Sequence, residues 1–163
     1  MDVEVDEMDQ PNPFDEQQGR PRALTSFTTT GILAAPIERV WQLVRDFAGI
    51  MAWHPSVTSC KVQGSGVGAL RVVQLGDREV VERLDELDDA RHAVQYSVVV
   101  GRPQTIGLTG RIQLDRTADG ETAVSWLTTV PDLPGAAELV DGFRTYYAGR
   151  VENLRDAVSG SAS

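Results

Sequence analysis

Cysteine is almost absent from this chain: Cys60 is the only one in 163 residues. A single thiol excludes an intramolecular disulfide. Histidine is nearly as scarce, with His54 and His92 alone. With one cysteine and no ligand spacing, they do not make a zinc site of the usual kind. Lysine is reduced to Lys61 among 15 basic residues, a bias toward arginine that suits GC-rich coding and says nothing of function. No apolar run approaches the roughly 20 residues of a membrane span. The N-terminus lacks the basic and apolar regions of a signal peptide, so a cytoplasmic location is expected. No glycine loop opens a helix: Gly64, Gly66 and Gly68 precede a strand. No Gly-X-Ser-X-Gly elbow occurs either. No cofactor is implied, and any chemistry must come from acid–base groups and positioning.

Acidic charge is what the chain has in excess, and it is unevenly spread. Residues 1–22 carry seven acids and two arginines, with scattered Gln and Pro and no apolar period. Such a segment cannot bury enough surface to offset its ordering entropy, so a disordered, solvating extension is expected. Residues 23–163 are only mildly acidic, net −4. Without a basic patch, neither nucleic acid nor an anionic membrane is an expected partner. The remaining length buries roughly two-thirds of its unfolded surface and forms one core without staples.

Along that stretch the hydrophobic period changes twice. Residues 24–33 are Thr-rich and β-favouring. Pro36 then stands where a helix begins, with Ile37, Val40, Val44 and Phe47 at helical spacing until Gly49. A second short helix is expected over 50–53, stopped by Pro55. Period two follows, with strands at 57–63, 68–75, 78–86, 92–100, 105–115 and 122–130. Gly76-Asp77 and Asp119-Gly120 read as tight hairpin turns, so the strands form an antiparallel meander. From Pro134, Ala136, Leu139, Val140, Phe143, Tyr147, Val151, Leu154 and Val158 make one helical stripe. The spacing predicts a helix over 134–158 and a frayed end over 159–163. The class is α+β, a domain over 23–158.

Particular segments then suggest a family. The run AAPIERVWQLVRDF (34–47), AWHP (52–55), GVGALRVV (66–73), VVERLDELDD (80–89), VQYSVVV (94–100) and VSWLTTV (124–130) together resemble the polyketide cyclase/dehydrase group of the START and Bet v 1-like superfamily. The resemblance covers about residues 26–158. It implies a helix-grip fold: a curved seven-stranded antiparallel sheet round a long C-terminal helix, with two short helices after the first strand. That fold encloses an apolar cavity. It is specific for the container and weak for the reaction, because the group spans cyclases, lyases, lipid carriers and receptors.

Side-chain parity selects the cavity wall. Ala69, Arg71, Val73 and Leu75 share one face, as do Val80, Glu82 and Leu84, Val94, Tyr96, Val98 and Val100, and Val124, Trp126, Thr128 and Val130. The more apolar face looks toward the helix. Arg71 and Glu82 are therefore charges in apolar rows, expensive unless paired. One reading is catalytic: Arg71 holds a substrate oxygen, Glu82 acts as base or orients Arg71, and Tyr96 donates a hydrogen bond. The resemblance supports this for Arg71 alone, whose matching position lies in the cavity of some aromatase/cyclases. The other reading is a cross-strand ion pair that fixes register. His54, between Trp53 and Pro55, should border the cavity mouth as a proton shuttle or pack half-exposed. His92, after an Asp-Asp-Ala-Arg turn, should be exposed. Tyr147 lies on the helical stripe and Tyr146 beside it, their rings in the core and hydroxyls at its edge.

The catalytic set expected from this reading is Arg71, Glu82, Tyr96 and His54. The substrate-binding set is Trp53, Val73, Leu84, Val98, Trp126, Thr128, Phe143 and Tyr147. Two functions of different class follow. The first is a cofactor-independent cyclase, aromatase or dehydratase of natural-product biosynthesis, acting on a hydrophobic polyketide-like molecule. The second is a non-catalytic binding or carrier protein for such a molecule. Either acts as a monomer or homodimer.

Overall fold

In the computed structural model, which describes residues 25–161, seven period-two segments form strands. They are β1 (Thr25–Leu33), β2 (Val57–Gln63), β3 (Leu70–Leu75), β4 (Arg78–Asp88), β5 (Ala93–Val100), β6 (Thr109–Arg116) and β7 (Thr122–Val130). All pairings are antiparallel, in the order β1-β7-β6-β5-β4-β3-β2. The acidic extension expected over 1–22 lies outside the described residues. No helix among those described is long and apolar enough to cross a membrane.

Two short helical segments link the edge strands β1 and β2. Helix α1 (Ile37–Arg45) buries Ile37, Val40, Trp41 and Val44, the face its spacing predicts. Pro36 is its N-cap and not its first helical residue. A 3-10 segment, Phe47–Ala52, kinks at Gly49. Asp89, in the β4–β5 turn, accepts from Trp41 Nε1 at 2.8 Å and from Arg45 Nε at 2.7 Å, which clamps α1 to the sheet. Register shifts in β4 between Val81 and Glu82 and between Leu84 and Glu86 mark bulges, which bend a strand and increase its twist. After the second shift Leu87 joins the same core as Leu84.

Helix α2 (Val140–Ser161) crosses the concave face. Its second half is pressed onto β1. Gly31 makes this possible, since a Cβ there would lie 2.7 Å from Val151 Cγ1. Arg155 Nη2 donates to the Ile32 carbonyl at 2.9 Å, and Arg39 Nη2 to that of Val158 at 2.6 Å. In its first turns Asp141, Gly142 and Arg144 are exposed and Phe143 only half-buried. A chamber of about 440 Å³ lies under these turns.

Several expected boundaries move. The C-terminal helix does not begin at Pro134. Gly135 has φ 82°, a left-handed conformation that ends any helix, and a 3-10 turn over Ala137–Leu139 precedes α2. Ala136 and Leu139 continue the apolar stripe without being in the α-helix, so periodicity alone reads through the break. The helix also persists to Ser161, into the stretch expected to fray. β6 begins at Thr109 and not 105, because Pro103–Thr105 form a 3-10 turn and Gly107 has φ 94°. Gly76-Asp77 is a two-residue turn joining the paired Leu75 and Arg78. Asp119-Gly120 instead sits in a five-residue connection from Arg116 to Thr122, where Thr117 Oγ1 accepts from the Glu121 amide at 3.0 Å. Val100, at the end of its row, is 49% exposed. His92 is half-buried, with its ring edge-on to Trp41 at 5.5 Å.

Candidate functional site

The hairpin β3–β4 pairs Arg71 directly with Glu82. Arg71 Nε and Nη2 both donate to Glu82 Oε1, at 2.8 and 2.7 Å, and Nη1 donates to the Phe47 carbonyl at 3.0 Å. The guanidinium also lies 4.2 Å from the centroid of the Phe47 ring. A buried charge is tolerable on such terms, with its counter-ion, an acceptor and an aromatic face all in place. Glu82 Oε2 accepts from no described residue.

Around this pair stand aromatic groups from three elements. Trp126 Nε1 donates to the Tyr96 hydroxyl at 3.2 Å, and that hydroxyl faces Tyr147 Oη at 3.4 Å. Tyr96 lies over its sheet partner Gly110, where a Cβ would strike the phenol ring. Burial pushes the Tyr96 and Tyr147 phenols well above the ordinary tyrosine value, so both stay protonated. His54 Nε2 lies 2.8 Å from Tyr146 Oη, and its ring stacks on Trp53. Arg150 covers the Tyr146 ring at 4.4 Å. Burial first, then the charges of Arg150 and Arg71, lower the His54 pKa from 6.5 to about 4. The imidazole is thus neutral at neutral pH and a weak base. Its Nδ1 is buried with no hydrogen-bond partner among the described residues.

Two adjoining chambers result. The inner one, about 40 Å³, lies among Trp53, His54, Arg71, Tyr96, Trp126 and Arg150. The outer one, about 440 Å³, lies under the first turns of α2, with Val98, Leu108, Leu139 and Phe143 in its apolar wall. Leu75, Val80, Glu82, Tyr146 and Tyr147 line both and form the partition. Only the outer chamber reaches the size of a small-molecule site.

The family profile described as polyketide cyclase / dehydrase and lipid transport matches residues 25–159. The chain belongs to this family. It is 30% identical to abscisic acid receptor PYL10 of Arabidopsis thaliana over 118 residues, which cover 66% of this chain and 64% of the receptor. A shorter match, 34% over 74 residues, covers 42% of this chain and 35% of abscisic acid receptor PYL7 from the same plant. The chain thus spans less than two-thirds of the length of these curated relatives. Among solved structures, a protein from Nitrosospira multiformis superposes with a TM-score of 0.73 at 23% identity, over 85% of this chain and 100% of that one. Ara h 8.0201 superposes with a TM-score of 0.70 at 16% identity, over 85% and 99%. The fold is the Bet v 1-like helix grip.

Within this polyketide cyclase/dehydrase fold, the four expected catalytic residues, Arg71, Glu82, Tyr96 and His54, all border the inner chamber. His54 does so from its buried wall, 4% exposed, and not at a mouth. Of the expected binding residues, Trp53, Val73, Trp126 and Tyr147 line the inner chamber, and Val98, Phe143 and Tyr147 the outer. Leu84 and Thr128 are buried but border neither. Tyr146, expected beside the helical stripe with its hydroxyl at the core edge, lines both chambers, and Arg150, for which the sequence suggested no site role, lines the inner one. Their spacing of four put them on one helical edge, but only docking of α2 beside His54 brings them into the site.

The neutral imidazole has a measurable consequence. The unfolded chain protonates His54 near pH 6.5 and the folded one only near 4. The stability gained by keeping the ring neutral is therefore full above pH 6.5 and lost as pH falls toward 4. We expect about 2 kcal/mol of acid sensitivity from this group, reduced from the full linkage because the adjoining chambers admit solvent. Denaturant unfolding of wild type and His54→Gln from pH 7 to 4 measures the difference. Parallel acid limbs in the two proteins would contradict this.

Proposed function

We propose that this protein binds a hydrophobic small molecule in the outer chamber, with an oxygen of the ligand at the partition formed by Glu82, Tyr146 and Tyr147. The observation that carries this is the 440 Å³ chamber with an apolar wall and these few polar groups at one end. Cavities of that size and composition hold drug-sized ligands. The family description includes lipid transport, and the relatives named as abscisic acid receptors bear a ligand in their names. We place this protein in the cytoplasm as a monomer or homodimer.

A second reading adds turnover: cyclisation, aromatisation or dehydration of a polyketide-like ligand in natural-product biosynthesis. Glu82 Oε2, unused by any described residue beside the His54–Tyr146 pair, favours it as a place to accept a proton. Against it, a base with a pKa of about 4 is poorly matched to neutral pH. A neutral dye such as Nile red, titrated into the purified protein, is expected to bind in the micromolar range or tighter and to be displaced by apolar competitors. Native mass spectrometry of freshly expressed protein identifies any co-purified ligand. Absence of any dye binding would overturn the proposal. Conversion of a bound polyketide-like compound into a cyclised or dehydrated product would move the assignment to the second reading.

A further inference from the structure

Twelve arginines fall among the described residues, and ten of them have a partner. Arg45, Arg71, Arg83, Arg91, Arg111, Arg116 and Arg155 are in ion pairs. Arg39 holds a carbonyl, Arg144 lies over Phe27, and Arg150 lies over Tyr146 and bonds Asn153. Only Arg78 and Arg102 have none, and both line the outer chamber. Two unused guanidiniums are unexpected in an acidic domain where carboxylates are plentiful. Asp77 and Glu79 flank Arg78 in the sequence and Glu138 lines the same chamber, yet none of the three pairs with either arginine.

The sheet explains why the two stand together. Arg78 follows the Gly76-Asp77 turn at the start of β4, and Arg102 follows the end of β5. These strands pair as far as Val81 with Val100, so both arginines project from the same end of the same strand pair. A Cβ on Gly101 would lie 4.0 Å from Val80 Cγ1, which keeps the two segments close beyond the last pair. Both arginines are exposed, while Val98 and Leu108 beside them are buried. The chamber therefore has an apolar interior and a cationic rim.

Building on the small-molecule reading above, we propose that Arg78 and Arg102 form an anion subsite, and that the ligand is an amphiphile: an apolar body with a carboxylate or phosphate group at the chamber rim. A guanidinium offers paired N–H donors in a fork that fits either oxyanion. Among the charged residues lining the rim, Glu138 stands against two arginines, while the exposed Asp77 and Glu79 flank Arg78 without lining the chamber. Glu138 also disfavours a ligand carrying several negative charges.

The test uses the full chain and Nile red displacement by four C12 probes: the fatty acid, its methyl ester, the alcohol and the alkyl phosphate. In wild type the anionic probes are expected to bind about tenfold more tightly than the alcohol and ester, as one charge-assisted contact provides. Preference for the acid over the phosphate, or the reverse, identifies the head group. In Arg78→Gln/Arg102→Gln the preference is expected to vanish, with the neutral dye as the reference for an intact chamber. The preference should also shrink as salt is raised, because the rim is exposed. Dye binding with equal affinity for acid and alcohol would overturn this inference and leave the small-molecule reading standing. A preference that persists in the double variant would overturn it as well. Failure of the dye to bind wild type would overturn both.

Discussion

Arg71→Met is expected to cost about 3–5 kcal/mol of stability and to lower the melting midpoint by on the order of 10 °C. The pair is largely out of water, with Arg71 and Glu82 side chains 9% and 15% exposed. Removing the arginine leaves the Glu82 carboxylate without its only described donor and strips the Phe47 carbonyl and ring of their contacts. The penalty is that of a stranded charge and not the net worth of the ion pair. Arg71→Met/Glu82→Leu is therefore expected to recover most of the loss. Thermal melting and Nile red titration on the same samples separate the alternatives. If Arg71→Met melts with wild type while ligand binding or turnover collapses, the pair is a ligand anchor and the structural account fails. The geometry favours the structural role, since both guanidinium edges already hold protein acceptors.

Trp126→Ala is expected to be comparably severe, about 3–5 kcal/mol. Trp126 is 2% exposed, edge-on to Trp53 at 6.0 Å and inclined to Tyr147 at 5.3 Å. Truncation removes a major part of the wall between sheet and helix, and the surrounding sheet cannot collapse to fill it. It also takes the donor from the Tyr96 hydroxyl. Trp126→Phe keeps most of the ring and loses the N–H, so it is expected to cost about 1–2 kcal/mol more than its lost volume alone. Urea unfolding with an unchanged m-value gives both figures. A loss below about 1 kcal/mol for Trp126→Ala would mean that the aromatic cluster is not part of the packed core.

The difference between the sequence reading and the structure is physical and local. Alternation placed Arg71, Glu82, Tyr96 and Trp126 on inward faces, and all four line a chamber. Parity works there because the side-chain period of a strand is fixed at two and one face must be buried. It fails at strand ends, where Val100 keeps the parity of its row but the sheet no longer covers it. The expected boundaries at Pro134 and at residue 105 moved for a related reason: Gly135 and Gly107 adopt left-handed backbone inside segments whose apolar pattern continues unbroken. Hydrophobic spacing carries no information about a single φ angle.

The sequence by itself determined the class of fold, the antiparallel meander, the closing helix and the family, because each rests on patterns repeated over many residues. It also determined that two charges would lie in the apolar wall. Tertiary structure alone decided which partners those charges meet. Register set Arg71 against Glu82, and the 3-10 segment supplied the Phe47 carbonyl. Docking of α2 brought Tyr146 to His54 from 92 positions away in the chain. It decided as well that His54 is buried and neutral, and that the 440 Å³ chamber lies under the first turns of α2, next to Arg78 and Arg102. Distances between remote segments, and the dielectric they create round a titratable group, depend on how layers pack, and no local pattern encodes them.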